Sequence, residues 1–565
     1  MSEIDVQEQL LDRRLQLTEG LASLPYDLIL YIERAKIYGD LGYPDLAAGD
    51  AYRALLLTDE VLSEGFEFHE QAFSALRMRL PPPLPDILSY SNLSDEWLPP
   101  RGVEDQDNEE TVHALARLCS IRAYQILSLN LLLCGCLKSA LTFCDRGLAV
   151  SPANQELLNT RNSIVTVARR RLRREEFDIS DLPDSGLVRR EVYPWNDHEP
   201  DRFDPASLDA LNADLKKMAP KCAIKVATLP VLLETASSST DSLEIIPTCQ
   251  QLGVFAQEDI EPGEAVLREY TLLTANNRLK DSVCDACSSD LPPIGSEQEP
   301  VKCDECYDTV FCSQFCHNEA QERYHPAVCD KDVDAIAKDA DKFEADDTLY
   351  LLLLARVLAL AEHQETHPLD VREVKFLWGD FVPSRANDID VSPSAGPPPE
   401  WTLPFSFKYN IETPLHLLEK MDIDVYATLA SYDLWILNTL YAKFRGTASA
   451  RKSLRDGRPD VAAVHPYWCL ANHDCDPNVT WDWGGRMVLR ARTERKVSGR
   501  PGGIRKDEEI LNHYCDIDMP VRQRREWARG SLGGWCMCQR CRTESAAAED
   551  AGDGKELDAG GEGDS

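Results

Sequence analysis

The 565 residues include 96 acidic and 60 basic side chains, a net charge of −36 with histidine neutral, and 43% hydrophobic residues. That balance excludes attachment to nucleic acid by bulk electrostatics and favours basic partners, while the length predicts several domains. No apolar run reaches 18 residues and the first residues are polar, so neither a membrane span nor a secretory signal is expected, and residence in the nucleus, the cytoplasm or both is.

Residues 1–170 read as helical throughout. Within them Ala35, Tyr38, Leu41, Gly42, Ala47, Ala51 and Ala54 alternate small and large side chains. Small residues let two helices approach, and the glycine makes the turn. Tyr124, Gly135, Ala140, Gly147, Leu148 and Pro152 repeat that register. The two matches resemble a short tetratricopeptide array, interrupted by the prolines of 81–85 and the acidic stretch 104–110, and the resemblance implies a concave surface that receives peptides. Residues 171–242 are predicted as a connector. From 243 to 283 apolar and polar residues alternate around turns expected at Gly253 and Pro262-Gly263. A cysteine-rich segment follows at 284–329. A helical stretch over 330–464 is expected to hold a buried helix near 349–361 and a Pro-rich loop over 382–404. β-like segments return over 465–516. Residues 517–545 carry a basic helix and the last cysteines. The tail 546–565, rich in Ala, Gly, Asp and Glu, is predicted to be disordered.

Of 19 cysteines, seven fall between Cys284 and Cys329. They read Cys284-x2-Cys287, Cys303-x2-Cys306, Cys312-x3-Cys316 and, with a histidine, His325-x3-Cys329. Eight soft or borderline ligands at such spacing predict two closed, tetrahedral zinc sites of structural type. The spacing, with a helix expected from 313 to 324, resembles a MYND finger. That resemblance implies an interleaved pairing, Cys284, Cys287, Cys312 and Cys316 against Cys303, Cys306, His325 and Cys329, and a taste for Pro-rich peptides. The segment carries nine acidic residues against Lys302 and Arg323, so DNA binding by the finger is not expected. Cys119, Cys134, Cys136, Cys144, Cys222, Cys249, Cys469 and Cys515 read as small buried hydrophobes.

Three motifs follow in order. Asn472-His473-x-Cys475-x-Pro477-Asn478 is similar to the N-H-S-C-x-P-N motif of SET domains. The segment 506–518, with Tyr514 and Asp516, is similar to that family's G-E-E-[IL]-x-x-x-Y-x-D. Cys536-x-Cys538-x2-Cys541 resembles the post-SET zinc cluster. With 250–264 upstream and the finger between, residues 243–545 resemble the SET-and-MYND (SMYD) family, whose members usually carry helical repeats after the SET domain. Fungal proteins with repeats ahead of a SET domain resemble this order. The resemblance implies a multidomain α+β fold: the helical repeat region, a β-rich SET fold interrupted by the finger and a helical insert, and a post-SET cluster. It implies protein-lysine N-methyltransferase activity with S-adenosylmethionine, on a histone or another basic protein. It implies cofactor binding by Gly253, Val254, Phe255, Asn472, His473, Tyr514 and Trp535, with a strand threading past another as a pseudo-knot, and a third zinc held by Cys475, Cys536, Cys538 and Cys541.

The chemistry explains the residue types. A lysine amine must be neutral to attack a methyl sulfonium in line, and a narrow apolar channel penalises the ammonium. Positioning supplies much of the rest. The resemblance makes Tyr514 the catalytic residue, its hydroxyl oxygen beside the transferring methyl. A phenol near pKa 10 is a poor base at neutral pH, so an orienting role is expected, with water taking the proton. Four positions depart from the pattern: Gln251 and Asp507 stand where glycines are usual, Asp474 where a serine is, and Gly534 where an aromatic is. They leave open an alternative, a catalytically quiet adaptor that recruits partners through its repeats and finger.

Overall fold

The structure is a computed structural model and describes residues 3–80, 85–88, 109–232, 248–277, 282–306, 308–337, 340–379, 402–453, 456–483, 485–497, 500–532 and 534–550. It divides into two compact units. One comprises Met1–Trp195, Asp330–Ala355 and Phe381–Ala442; the other comprises Asn196–Cys329, Arg356–Asp380 and Lys443–Ser565.

The first unit is built on helices Glu3–Ser23, Leu28–Asp40, Pro44–Leu62, His69–Arg77, Glu109–Cys134, Leu137–Val150 and Gln155–Leu172. Leu28–Asp40 turns into Pro44–Leu62 at Gly42, whose φ of +79° suits a residue without Cβ. Pro44 starts the second helix where no N–H is needed. Ala35, Ala47, Ala51 and Ala54 are fully buried, so the small positions of the repeat register do hold helices close. Gly135 makes the equivalent turn with a φ of +86°. Gly147 lies where an added Cβ would meet Tyr124 at 2.8 Å and Leu157 at 2.9 Å. Strand Gly186–Arg189 pairs antiparallel with Thr402–Phe405.

The second unit carries the β-structure. Cys222–Pro230 pairs with Thr248–Ala256 along its whole length. Val479–Trp483, Met487–Ala491 and Ala265–Glu269 form a second sheet, and Thr274–Asn276, Pro459–Ala463 and Ser449–Lys452 a third. Helix Pro205–Met218 is pinned to the first sheet by Asn212, whose amide oxygen accepts from Ile224 N (2.7 Å) and whose NH2 donates to Ile224 O (3.0 Å). Leu211, Leu215, Ile224, Leu252, Val254, Val266, Leu489 and Ile510 fill one core between these elements.

Several expectations are corrected. Residues 171–242, read as a connector followed by short strands and helices, supply helix Pro205–Met218 and strand Cys222–Pro230 to the second unit, and 233–242 lie outside the described residues. The stretch 330–464 is not one insert, since its parts belong to different units; one reason is the pairing of Thr402–Phe405 with Gly186–Arg189. That strand also shortens the loop expected over 382–404, the remainder of which lies outside the described residues. Gly253 lies inside Thr248–Ala256, at no turn. Helix Gln539–Asp550 runs into the tail expected to be disordered, because its Ala and Glu residues favour helix; 551–565 lie outside the described residues. The apolar stretch near 349–361 is the buried helix Ala345–His363, and among the described residues no helix is long and apolar enough to cross a membrane.

Candidate active site and metal centres

The finger is a small hairpin, Val301–Lys302 against Val310–Phe311, followed by helix Gln314–Arg323. Ser313 caps that helix by accepting from Cys316 N. Two groups of ligand atoms form: Cys284, Cys287, Cys312 and Cys316, then Cys303, Cys306, His325 and Cys329. These are the pairings the resemblance implied. Zinc–sulfur bonds of ~2.3 Å place tetrahedral ligands ~3.8 Å apart. Cys287 and Cys312 sulfurs are 3.7 Å apart, Cys312 and Cys316 3.6 Å, Cys303 and Cys329 3.9 Å, and Cys306 Sγ lies 3.6 Å from His325 Nε2. Both groups therefore fit a zinc ion. Arg356, 9% exposed, anchors the finger: it donates to Asp285 O (2.8 Å) and Oδ2 (3.2 Å) and stacks 3.9 Å over the Tyr324 ring.

A third group joins Cys475, Cys536, Cys538 and Cys541. Cys475 Sγ lies 3.4 Å from Cys541 Sγ and 4.0 Å from Cys536 Sγ, again the edge of a zinc tetrahedron. The sulfurs accept hydrogen bonds, Cys541 from Arg524 Nη2 (3.6 Å) and Cys538 from Cys541 N (3.4 Å), which suits thiolates. Cys515 lies in the same cluster, close to Cys475 and His473, so it is more than the scattered hydrophobe expected. Cys249 is exposed, against expectation. His198, His367 and Asp370 also cluster, but the two rings stack 3.7 Å apart at 6°. His198 Nδ1 instead meets Asp370 Oδ2 at 2.7 Å, and Asp370 is also paired with Lys375 at 3.0 Å.

Above the third group lies a cavity of about 1040 Å³, lined among others by Gln251, Trp468, Asn472, His473, Glu509 and Tyr514. Three segments meet at its floor. Asn512 N donates to Asn472 O (2.8 Å) and Asp474 N to Asn512 O (2.9 Å), a parallel contact between two stretches far apart in sequence. Ile510 N donates to Val254 O (2.7 Å), tying the second stretch to the first sheet. Asn478, fully buried, locks the crossing: its NH2 donates to Glu509 O (2.7 Å) and its oxygen accepts from Leu511 N (2.7 Å).

Each functional side chain is held from two sides. Asn472 Nδ2 donates to Leu252 O (3.0 Å) and to Glu509 Oε1 (2.7 Å). Burial raises the Glu509 carboxyl above its ordinary pKa, opposed by the Asn472 bond. Tyr514 N donates to His473 Nδ1 (3.0 Å) and Tyr514 OH to Ala471 O (2.9 Å). With Nδ1 accepting, a neutral His473 carries its proton on Nε2, 3.3 Å from Cys475 Sγ. Trp468 and Trp481 pack edge to face beside Tyr514, and His513 stacks on Trp481. Glu269, 1% exposed, accepts from Tyr467 N (3.1 Å) and Trp468 N (2.8 Å), fixing the wall. Trp468, Trp481, His513 and Glu269 were not singled out from sequence, where only the repeated tryptophans of 481–483 gave a signal; Glu509 is the second of the paired acids in the 506–518 motif.

The other expected cofactor residues stand back from the cavity lining. Val254 is buried in the core, Phe255 lies under Lys225 at 5.6 Å, and Trp535 is 8% exposed. Gly253 sits where a Cβ would meet Glu509 Oε1 at 2.5 Å and Asn472 Nδ2 at 3.1 Å, so its task is to let the three segments close. Two departures keep the local chemistry of the residue they replace. Asp507 adopts the positive φ (+65°) that a glycine takes easily and aspartate tolerates. Asp474 Oδ1 accepts from Asp476 N (2.7 Å), the short turn a serine also makes.

A family model described as SET domain matches residues 251–515, the span holding this crossing, the finger and Tyr514. No curated protein matches the chain. The chain carries a SET domain, and SET domains are generally protein-lysine methyltransferases that use S-adenosylmethionine.

Proposed function

We propose that the chain is an S-adenosylmethionine-dependent protein-lysine N-methyltransferase acting on a histone or another basic protein. The observation that carries the reading is the Tyr514 hydroxyl, fixed by donation to Ala471 O at the edge of the cavity that Asn472 and His473 also line. Cavity size and chemistry fit the cofactor: about 1040 Å³, aromatic walls and a carboxylate–amide pair, Glu509 and Asn472, for a polar, cationic ligand. Bound there, S-adenosylmethionine supplies a methyl group on a sulfonium. The Asn472 side chain and the His473 backbone hold the ligand, and Trp468 and Trp481 exclude water and disfavour a charged lysine. Tyr514 orients the amine, and water receives its proton.

The finger is proposed as MYND-type and the N-terminal helices as tetratricopeptide-like, both recruiting Pro-rich or other peptides. The three ligand groups are proposed to hold zinc, which builds walls and takes no part in the transfer. The test is incubation with tritiated S-adenosylmethionine and core histones or a cell lysate, beside Tyr514→Phe, with calorimetric titration of the cofactor. Label on a basic protein, reduced at least about tenfold in the variant, is expected. No label and no cofactor binding would replace this reading with the adaptor, for which Gln251 on the cavity wall is the specific observation.

A further inference from the structure

We infer that Cys515 is an oxidation site for hydroperoxides, and that its oxidation releases the zinc of the post-SET group through a disulfide with Cys475. The inference rests on the reading that Cys475, Cys536, Cys538 and Cys541 hold zinc. Those four fill a tetrahedral site, and Cys515 is a fifth sulfur with no place in it. Its Sγ lies within 4.8 Å of Cys475 Sγ and of a His473 ring nitrogen. Cys515 is 4% exposed, yet it lines the cavity. A small neutral oxidant reaches it through the cavity; Cys536 and Cys538 line the same cavity, but they belong to the four-sulfur group and Cys515 does not.

The four ligand sulfurs each commit a lone pair to zinc, whereas the Cys515 sulfur lies outside that set and on the cavity wall. The Cys515 sulfur attacks one peroxide oxygen, and its S–H proton passes to the leaving oxygen. The S–O bond forms, the O–O bond breaks, sulfur gives up two electrons, and water or an alcohol leaves after taking a proton. The Cys475 sulfur then attacks the sulfenic sulfur. The S–S bond forms, the S–O bond and the bond from Cys475 to zinc break, and hydroxide leaves as water after taking a proton from solvent. In sum one thiol, one zinc-bound thiolate, one proton and one hydroperoxide give a disulfide, water and an alcohol (a second water from hydrogen peroxide). Zinc, left with three ligands, departs. A disulfide needs ~2.05 Å between sulfurs, so the two segments must close by less than 3 Å from the present limit. Tyr514 is joined to Cys515 by one peptide bond, and its N–H and hydroxyl are both fixed in the Asn472 segment's neighbourhood, at His473 and Ala471. Drawing Cys515 toward Cys475 displaces the residue that orients the amine.

The experiment uses the full chain loaded with zinc. Zinc per chain is measured first for the wild type and Cys541→Ser; equal content in both would end the zinc reading itself. Wild type and Cys515→Ser then receive one equivalent of hydrogen peroxide, with a chromogenic chelator reporting zinc and peptide mapping reporting disulfides. The expected result is one equivalent released from the wild type with a Cys475–Cys515 crosslink, at least tenfold faster than from Cys515→Ser, and reversed by dithiothreitol with zinc. Equal release rates, or first disulfides confined to the finger or to Cys536, Cys538 and Cys541, would overturn the inference. The mapping on the wild type alone decides the matter where Cys515→Ser does not fold.

Discussion

Replacing Gly253 with alanine tests how the three segments close beneath the cavity. The new Cβ would stand 2.5 Å from Glu509 Oε1, 3.1 Å from Ala227 Cβ and 3.1 Å from Asn472 Nδ2. The nearest atom is the end of a flexible side chain, so the carboxylate swings away and the backbone stays. What is lost is the 2.7 Å bond from Asn472 to Glu509, and a hydrogen bond to a charged group contributes about 1.5–3 kcal/mol. The tight contact with Ala227, on a paired strand, adds about 1 kcal/mol of overpacking. A loss near 3 kcal/mol corresponds to roughly 6–12 °C in Tm for a domain of this size. Cofactor affinity should fall about tenfold, since Asn472 loses one of its two restraints. The assay is a double-mutant cycle by thermal and chemical denaturation, with Glu509→Ala as the second change. In that background the oxygen is gone, and Gly253→Ala should cost only about 1 kcal/mol. Costs that add within about 0.5 kcal/mol would refute the reasoning.

Two further outcomes are expected. His465 is 1% exposed, neither ring nitrogen has a hydrogen-bond partner among the described residues, and burial lowers its pKa to about 3. The folded chain therefore binds this proton less readily than the unfolded chain. The associated stability is complete above pH 6.5 and declines as pH falls from there toward 3, by about 2 kcal/mol at pH 5. His465→Leu should flatten that part of the stability curve, and an unchanged slope in urea titrations at pH 7 and pH 5 would count against the assignment. Arg356→Leu removes the guanidinium from the half-buried Asp285 carboxylate and should cost about 1.5–3 kcal/mol, the range for a hydrogen bond to a charged group. The finger should then surrender zinc to a chelator at least tenfold faster than the wild type while the post-SET group keeps its rate; equal finger rates would contradict the anchoring role.

What the sequence revealed about the site follows from distance along the chain. Cys284, Cys287, Cys312 and Cys316 announce themselves because a tetrahedral site built from short loops and one helix leaves its spacing in the sequence. Asn472 and Tyr514 were readable because each sits in a dense local motif. Glu269, by contrast, holds the wall of the cavity through the backbone of residues almost 200 positions away, and no local pattern encodes that. Gly253 was misread for the same reason. A glycine in an alternating stretch signals a turn unless something distant must come close, and here Glu509 and Asn472 do. Cys515 looked like one more apolar cysteine because the sulfur beside it belongs to a segment 40 residues earlier.

The four departures from the SET pattern do not weigh equally once placed. Asp507 preserves a backbone conformation and Asp474 a turn, so each does locally what the usual residue does. Gly534 removes an aromatic while Trp468, Trp481 and Tyr514 cluster at the cavity from other directions. Gln251 alone adds something: it stands opposite Ala227 in the first sheet and presents a side chain at the cavity where a glycine would present none. The contest between a methyltransferase and a quiet adaptor therefore narrows to one residue. Gln251→Gly, which enlarges the cavity without touching Asn472, Glu509 or Tyr514, should strengthen cofactor binding if that side chain obstructs the site. It should leave binding unchanged if the glutamine folds along the strand.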